Sequence, residues 1–366
     1  MQLPAIACTN CGRPNPGEGI PYRCPVCGGV FDYSSPLIFD AAQVDPSQPG
    51  IWRYRRLLGL AEGTEAVSLG EGGTPLIWAE AFGRQVAFKC EHLNPTGSFK
   101  DRGTAAITAM LKSHAVTEVV EDSSGNAGAS LAAYTARAGI RARIFVPASA
   151  SEPKRKQIEA YGAELVPVPG TRTDVSEAVK KAAEQDVVYA SHALLPFNLP
   201  GYATAAFETF EQLGGRMPGS VVAPAGQGGF LLGLARGFEA LRLAGLATSG
   251  PKMIAVQARA CAPLWAMFTA GREGLAMVAE NPTLAEGVRV RFPVRGDAVL
   301  RAVRSSQGGV VAVDEDEIMP ARDALARLGF YIEPTSAIVW PALEQSLRQL
   351  PDPVVAFLTG SGYKYG

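Results

Sequence analysis

Asn94-Pro95-Thr96-Gly97-Ser98-Phe99-Lys100-Asp101-Arg102-Gly103 is the stretch that decides how this chain is read. Pro95 and Gly97 mark a tight turn. Ser98 then reads as the N-cap of a helix continued by Ala105, Ala106, Ile107, Ala109, Met110 and Leu111. Lys100 falls in the first helical turn, at the positive end of the helix dipole, where a cation is disfavoured. An ordinary lysine near a helix start is a solvated surface group. One that must lose its proton and attack a carbonyl benefits from local positive potential, because that potential lowers an amine pKa.

The rest of the composition bounds what surrounds this lysine. The chain has 366 residues, 47% of them hydrophobic and 19% charged, with a net charge of −1. That is enough for about two or three domains with large cores, and it offers no basic surface for nucleic acid. No apolar run approaches the roughly 20 residues of a membrane span. The start, Met1-Gln2-Leu3-Pro4-Ala5, lacks the pattern of a secretory signal, so the expectation is a cytoplasmic protein.

Cys8-x-x-Cys11 and Cys24-x-x-Cys27 stand with twelve residues between them, and a glycine follows each pair. Four thiolates on two tight turns are the ligand set of a structural zinc ribbon. A ribbon that keeps its cysteines without metal, or a dithiol redox pair, are the alternatives. Four cysteines leave no open coordination position, so this metal would not be catalytic.

Beyond residue 86 strands and helices alternate. Strands are predicted at 86–90, 116–120, 143–147, 165–168, 187–191, 221–224, 253–257 and 354–358. Helices are predicted at 129–138, 152–161, 174–184, 203–213, 230–243, 315–328 and 336–347. The alternation predicts an α/β protein with open, mainly parallel sheets covered on both faces, whose ligands sit beyond the carboxyl ends of the strands. Three further loops fall there. Ser123-Ser124-Gly125-Asn126-Ala127-Gly128 opens a helix and offers backbone N–H groups and two hydroxyls to an anion, although an ordinary helix cap reads the same way. Ala225-Gly226-Gln227-Gly228-Gly229-Phe230 joins a strand to a helix, and its glycines allow close approach to a phosphate. A dinucleotide fingerprint fails there, because its third glycine would fall at Leu231. The last loop is Leu358-Thr359-Gly360-Ser361-Gly362-Tyr363-Lys364. No HExxH, Walker A lysine or GxSxG elbow appears, and none of His92, His114 and His192 has a hydrolase context.

The ten residues around Lys100 closely resemble the cofactor-lysine segment of threonine synthases, within the pyridoxal-phosphate (PLP) enzymes of the tryptophan synthase β-subunit type of fold (fold type II). The other loops arrive in the family's order and spacing, from about residue 50 to the end, and such enzymes also occur with N-terminal ribbons. The resemblance implies a PLP-dependent lyase in which Lys100 holds the cofactor covalently. Ser123, Ser124, Gly125 and Asn126 would grip the substrate carboxylate, with Asn126 also meeting the cofactor's phenolic oxygen. Gly226, Gln227, Gly228, Gly229 and Phe230 would cup its phosphate, although the family usually has asparagine where Phe230 stands. Thr359 would meet the pyridine nitrogen, with Glu333 and Ser336 as support. It further implies a large PLP-binding domain (34–103 and 199–366), a small α/β domain (104–198), a ribbon (1–33) and a homodimer.

One segment departs from the family. Where threonine synthases carry Asn-Ser-x-Asn-Pro-x-Arg-x-Glu-Gly, this chain has His192-Ala193-Leu194-Leu195-Pro196-Phe197-Asn198-Leu199-Pro200-Gly201. His192 and Asn198 are therefore candidate substrate contacts, and Asn198 replaces an arginine that helps bind phosphate. That exchange is not conservative. Lys154, Arg155 or Lys156 could supply the charge instead. The expected reaction is O-phosphohomoserine and water to threonine and phosphate. The alternatives are β-elimination or β-replacement on serine, threonine, phosphoserine or diaminopropionate, and a non-catalytic binding role.

Overall fold

The computed structural model describes residues 4–148, 152–185 and 187–364. In chain order its strands are β1 (Ile6–Cys8), β2 (Phe31–Tyr33), β3 (Leu76–Ala81), β4 (Arg84–Lys89), β5 (Glu118–Glu121), β6 (Arg141–Pro147), β7 (Glu164–Val168), β8 (Val188–Tyr189), β9 (Ser220–Pro224), β10 (Lys252–Ala258), β11 (Gly309–Val313) and β12 (Val354–Phe357). Its α-helices are α1 (Lys100–Ser113), α2 (Asn126–Ala138), α3 (Glu152–Ala160), α4 (Arg172–Ala183), α5 (Leu199–Gln212), α6 (Gly229–Leu243), α7 (Pro263–Ala270), α8 (Gly296–Ser305), α9 (Glu315–Arg327), α10 (Pro334–Ala337) and α11 (Val339–Ser346). None is long and apolar enough to cross a membrane among the described residues.

Two compact units divide the chain: residues 1–72 with 100–201, and residues 73–99 with 202–366. The first holds a four-stranded parallel sheet in the order β7-β6-β5-β8 and the small antiparallel pair β1-β2. Residues 34–72 cluster with this unit because Ile51, Trp52, Leu58 and Val67 share one apolar core with Ala105, Ala109, Ala133 and Tyr134. Glu71 fastens the end of that segment. It is fully buried and accepts from Trp52 Nε1 (2.6 Å) and the Tyr134 hydroxyl (2.7 Å).

The second unit holds a six-stranded sheet ordered β11-β10-β9-β12-β4-β3, parallel except for the edge pair β3-β4. Its central strands are buried on both faces, as a near-continuous apolar sequence requires. The expected helix at 336–347 is split at Ile338 into α10 and α11. Pro341 accounts for the break: it has no N–H to donate, and its ring crowds the carbonyl of Ala337. Ser98 also departs from expectation. It bridges Gly360 through its backbone, and its buried hydroxyl has no hydrogen-bond partner, so it does not cap α1.

Candidate active site

In the second unit, the three adjacent strands β9, β12 and β4 are parallel, so their carboxyl ends deliver three loops to one edge of the sheet. After β4 come residues 90–99. They are tied to the loop after β12 through the backbone: His92 N donates to Leu358 O (2.8 Å), Phe99 N to Thr359 O (3.1 Å) and Ser361 N to Gly97 O (2.9 Å). Gly97 has φ +83°, a conformation that disfavours any side chain. The Phe99 ring stacks at 4.4 Å on Phe230, which also meets Tyr202 and Phe357. Phe230, offered from the sequence as a cofactor contact, therefore places its ring in an aromatic core, and only its backbone remains for the cup.

The glycine loop follows β9. Gly228 (φ +73°) turns the chain into α6, whose N-terminus has no side-chain cap. Gln227 uses Oε1 to accept from Val294 N (3.0 Å), so it braces the neighbouring loop. Backbone N–H groups at an uncapped helix start, with glycine at 226, 228 and 229, fit a phosphate monoester. After β12, Thr359 is 2% exposed. Its N–H donates to Ser336 Oγ at 2.6 Å, and the two hydroxyls lie 3.5 Å apart. Ser336 thus fixes the residue expected to meet the pyridine nitrogen, and Glu333 N donates to Gly360 O (3.0 Å) alongside.

In the first unit, Lys100 is the first residue of α1 and is half-buried. The strands β5 and β8 are adjacent and parallel, so the loop 122–126 and the segment after Tyr189 leave the same sheet edge. The 123–126 loop enters α2, whose N-cap is Gly125 with no side-chain cap bond. Gly128 must be glycine, because a Cβ there would collide with the carbonyl oxygen of Ser123. The loop is thereby pressed onto the helix start, and Ser123 Oγ accepts from Gly125 N at 3.3 Å.

His192 follows β8. Its Nδ1 lies 2.7 Å from Glu121 Oε1, and burial, then the charge of Lys100, pushes its pKa down to about 3. It is a neutral imidazole. Asn198 is 2% exposed and donates from Nδ2 to the His192 carbonyl (2.6 Å). The residue standing in place of arginine therefore serves the segment's own backbone. Arg172 is the cation found nearby instead: it pairs with Asp122 at 2.8 Å, and its charge is felt at His192. The sequence offers Lys154, Arg155 and Lys156 for that charge. The side chain of Lys154 lies outside the described residues, and Arg172 escapes a sequence reading because it stands after an unremarkable turn.

The four cysteines sit on two turns closed by Gly12 (φ +72°) and Gly28 (φ +68°), whose N–H groups donate to Cys8 O and Cys24 O, both at 2.9 Å. Their sulfurs all lie within 4.8 Å of one another, with Cys8–Cys27 at 3.4 Å and Cys11–Cys24 at 3.7 Å. A tetrahedron with Zn–S of about 2.3 Å needs S–S separations of about 3.8 Å, so the cluster fits that ion.

The profile of the family described as "Pyridoxal-phosphate dependent enzyme" matches residues 67–360, and the chain belongs to that family. It is 32% identical over 377 residues to a threonine synthase of Methanocaldococcus jannaschii, covering 98% of this chain and 92% of that protein. It is 34% identical over 321 residues to a threonine synthase of Synechocystis sp., covering 85% and 82%. Among solved structures, a threonine deaminase from T.th. superposes with a TM-score of 0.68 at 28% identity, covering 79% of this chain and 92% of that one. A maize serine racemase at 22% identity, also with a TM-score of 0.68, shares the fold.

Proposed function

We propose that the protein is a threonine synthase, converting O-phosphohomoserine and water to threonine and phosphate. The observation that carries this reading is the 32% identity to a threonine synthase over 98% of the chain, ribbon included. Lys100 anchors the cofactor covalently. Bound PLP supplies an electron sink for charge developing on the substrate's carbon atoms. The chain's own residues do the rest. Lys100 would hold the cofactor and, as a free amine, would take the proton from Cα and carry protons to and from Cβ. Phosphate would leave Cγ, which gains a proton to become the methyl group; water would add its hydroxyl at Cβ, and Lys100 would return a proton to Cα. The N–H groups and hydroxyls of Ser123, Ser124 and Asn126 hold the carboxylate, while Gly226, Gly228 and Gly229 hold the cofactor phosphate. Thr359, fixed by Ser336, would meet the ring nitrogen, and a hydroxyl there would leave that nitrogen less positive than a carboxylate would.

In this reading Cys8, Cys11, Cys24 and Cys27 bind structural zinc, and the enzyme works in the cytoplasm as a homodimer. The test of function is release of phosphate and threonine from O-phosphohomoserine. It is set beside ammonia and keto-acid release from serine, threonine, phosphoserine and diaminopropionate. Activity confined to the second group would replace this reading with an eliminase, the outcome that Asn198 favours by withholding a guanidinium from the phosphate.

A further inference from the structure

Two buried glutamates in the first unit are held in opposite ways. Both oxygens of Glu71 are engaged, accepting from Trp52 Nε1, Tyr134 OH, Leu69 N (2.9 Å) and Ser68 Oγ (3.3 Å). Glu121, at the carboxyl end of β5 and 1% exposed, has Oε1 at 2.7 Å from His192 Nδ1, while Oε2 is buried without a partner. A buried carboxylate left with an empty oxygen is costly, whereas a carboxylic acid needs one acceptor for its proton. His192 Nδ1 is that acceptor. The ring keeps 22% of its surface open, with its second nitrogen not engaged by Glu121.

We propose that Glu121 is a positioning residue whose carboxyl group fixes the tautomer of His192, so that Nε2–H donates a hydrogen bond to the anionic group of the substrate. This rests on the proposed reading of the segment after β8 as a substrate contact. The proton count is explicit. With Glu121 protonated, its O–H donates to Nδ1, and the imidazole proton sits on Nε2. With Glu121 ionised, Nδ1–H donates to Oε1, and Nε2 becomes a bare acceptor that an anion avoids. Burial, then the neighbouring Asp122, raises the Glu121 carboxyl well above its usual range. The other charged or titratable groups facing it are Lys100 from α1, Arg172 from α4, and Tyr189 and His192 from β8 and its exit. The Asn198 Nδ2 bond to the His192 carbonyl holds the backbone beside the ring, while Asn198 Oδ1 is buried without a partner.

Nitrogen-15 NMR of histidine-labelled protein reads the tautomer directly in a chain with three histidines. His192 should carry its proton on Nε2 at neutral pH and transfer to the Nδ1 form as pH rises. In Glu121→Gln that transfer should no longer titrate. A wild-type ring protonated on Nδ1 at neutral pH would overturn the proposal. By calorimetry, inorganic phosphate should bind His192→Asn about tenfold more weakly than wild type, the loss expected for one hydrogen bond to a charged group. Unchanged affinity, or no phosphate binding to wild type, refutes the donor role. KM for O-phosphohomoserine should rise by the same factor with kcat largely kept. A wild-type enzyme that takes up PLP but leaves O-phosphohomoserine untouched refutes the proposed function alone, since the NMR and calorimetric outcomes do not depend on turnover.

Discussion

Residues 94–99 and residues 192–201 both leave the ends of parallel strands, yet they are held by different means. The first stretch is fixed by backbone hydrogen bonds to the loop after β12 and by a glycine at positive φ. The second is fixed largely by side chains: Glu121 holds the His192 ring, Asn198 holds the His192 carbonyl, and Ser191 Oγ accepts from Leu194 N at 3.3 Å. A glycine held at positive φ resists substitution, whereas a side-chain scaffold can be rebuilt when several positions change together. The contrast parallels the sequence reading, in which the lysine segment resembles that of threonine synthases and the second segment does not. Gly201 is the exception within the second segment, because a Cβ there would collide with the carbonyl of Arg102.

The largest test of the contrast is Lys100→Ala. It should lower turnover about 10³-fold and remove the visible absorption of covalently held cofactor, with thermal stability little changed. Next comes Asn198→Arg, which restores the family's residue. In a side chain 2% exposed, an unpaired guanidinium should cost about 3 kcal/mol of unfolding free energy, measured in urea, and KM for O-phosphohomoserine should rise. A fall in KM would mean that position 198 faces the substrate after all.

Chelation tests the side-chain scaffold from a distance. Tyr22 of the ribbon meets Tyr189 edge-on at 5.1 Å, and β2 packs against the turn 196–198. Stripping the metal should raise KM about fivefold while leaving the cofactor spectrum intact.

The smallest effect is a pH slope. His92, buried, and His192 both have lowered pKa values, so their contribution is present above the unfolded value near 6.5 and is lost as pH falls. Glu121 has the opposite sign: its contribution is present below the unfolded value near 4.3 and is lost as pH rises through its raised value. Below about pH 6 His192, whose pKa falls to about 3, removes about 1.4 kcal/mol of stability per unit of acidification; His92 acts in the same direction and Glu121 opposes both. Urea titrations of Glu121→Gln should therefore show a steeper acid slope than wild type.

Much of the α/β framework is legible in the sequence because apolar strands such as Val221–Pro224 and helices closed by glycine, such as α2 at Gly139, carry strong local signals. The edge strand β3 is not among the strands that the sequence predicts. Its outward residues Ile77 and Trp78 are 42% and 47% exposed, so no core-facing alternation marks it. The amphipathic α8 escapes the same reading although Val299, Leu300 and Val303 form its buried stripe. At the site, the motif loops are visible as strings, but Glu121 is not. A glutamate ending the run Val119-Val120-Glu121 looks like a solvated strand end, and only the fold brings His192, distant in sequence, against it.

The seating of the ribbon on Tyr189 and on the 196–198 turn has one more consequence. Coupling between two binding events is reciprocal. If metal in the cysteine cluster raises the affinity for substrate, bound substrate must raise the affinity for metal by the same equilibrium factor. At equilibrium the ribbon would then give up least metal to a chelator while the enzyme is saturated, and zinc affinity would report occupancy of a distant site.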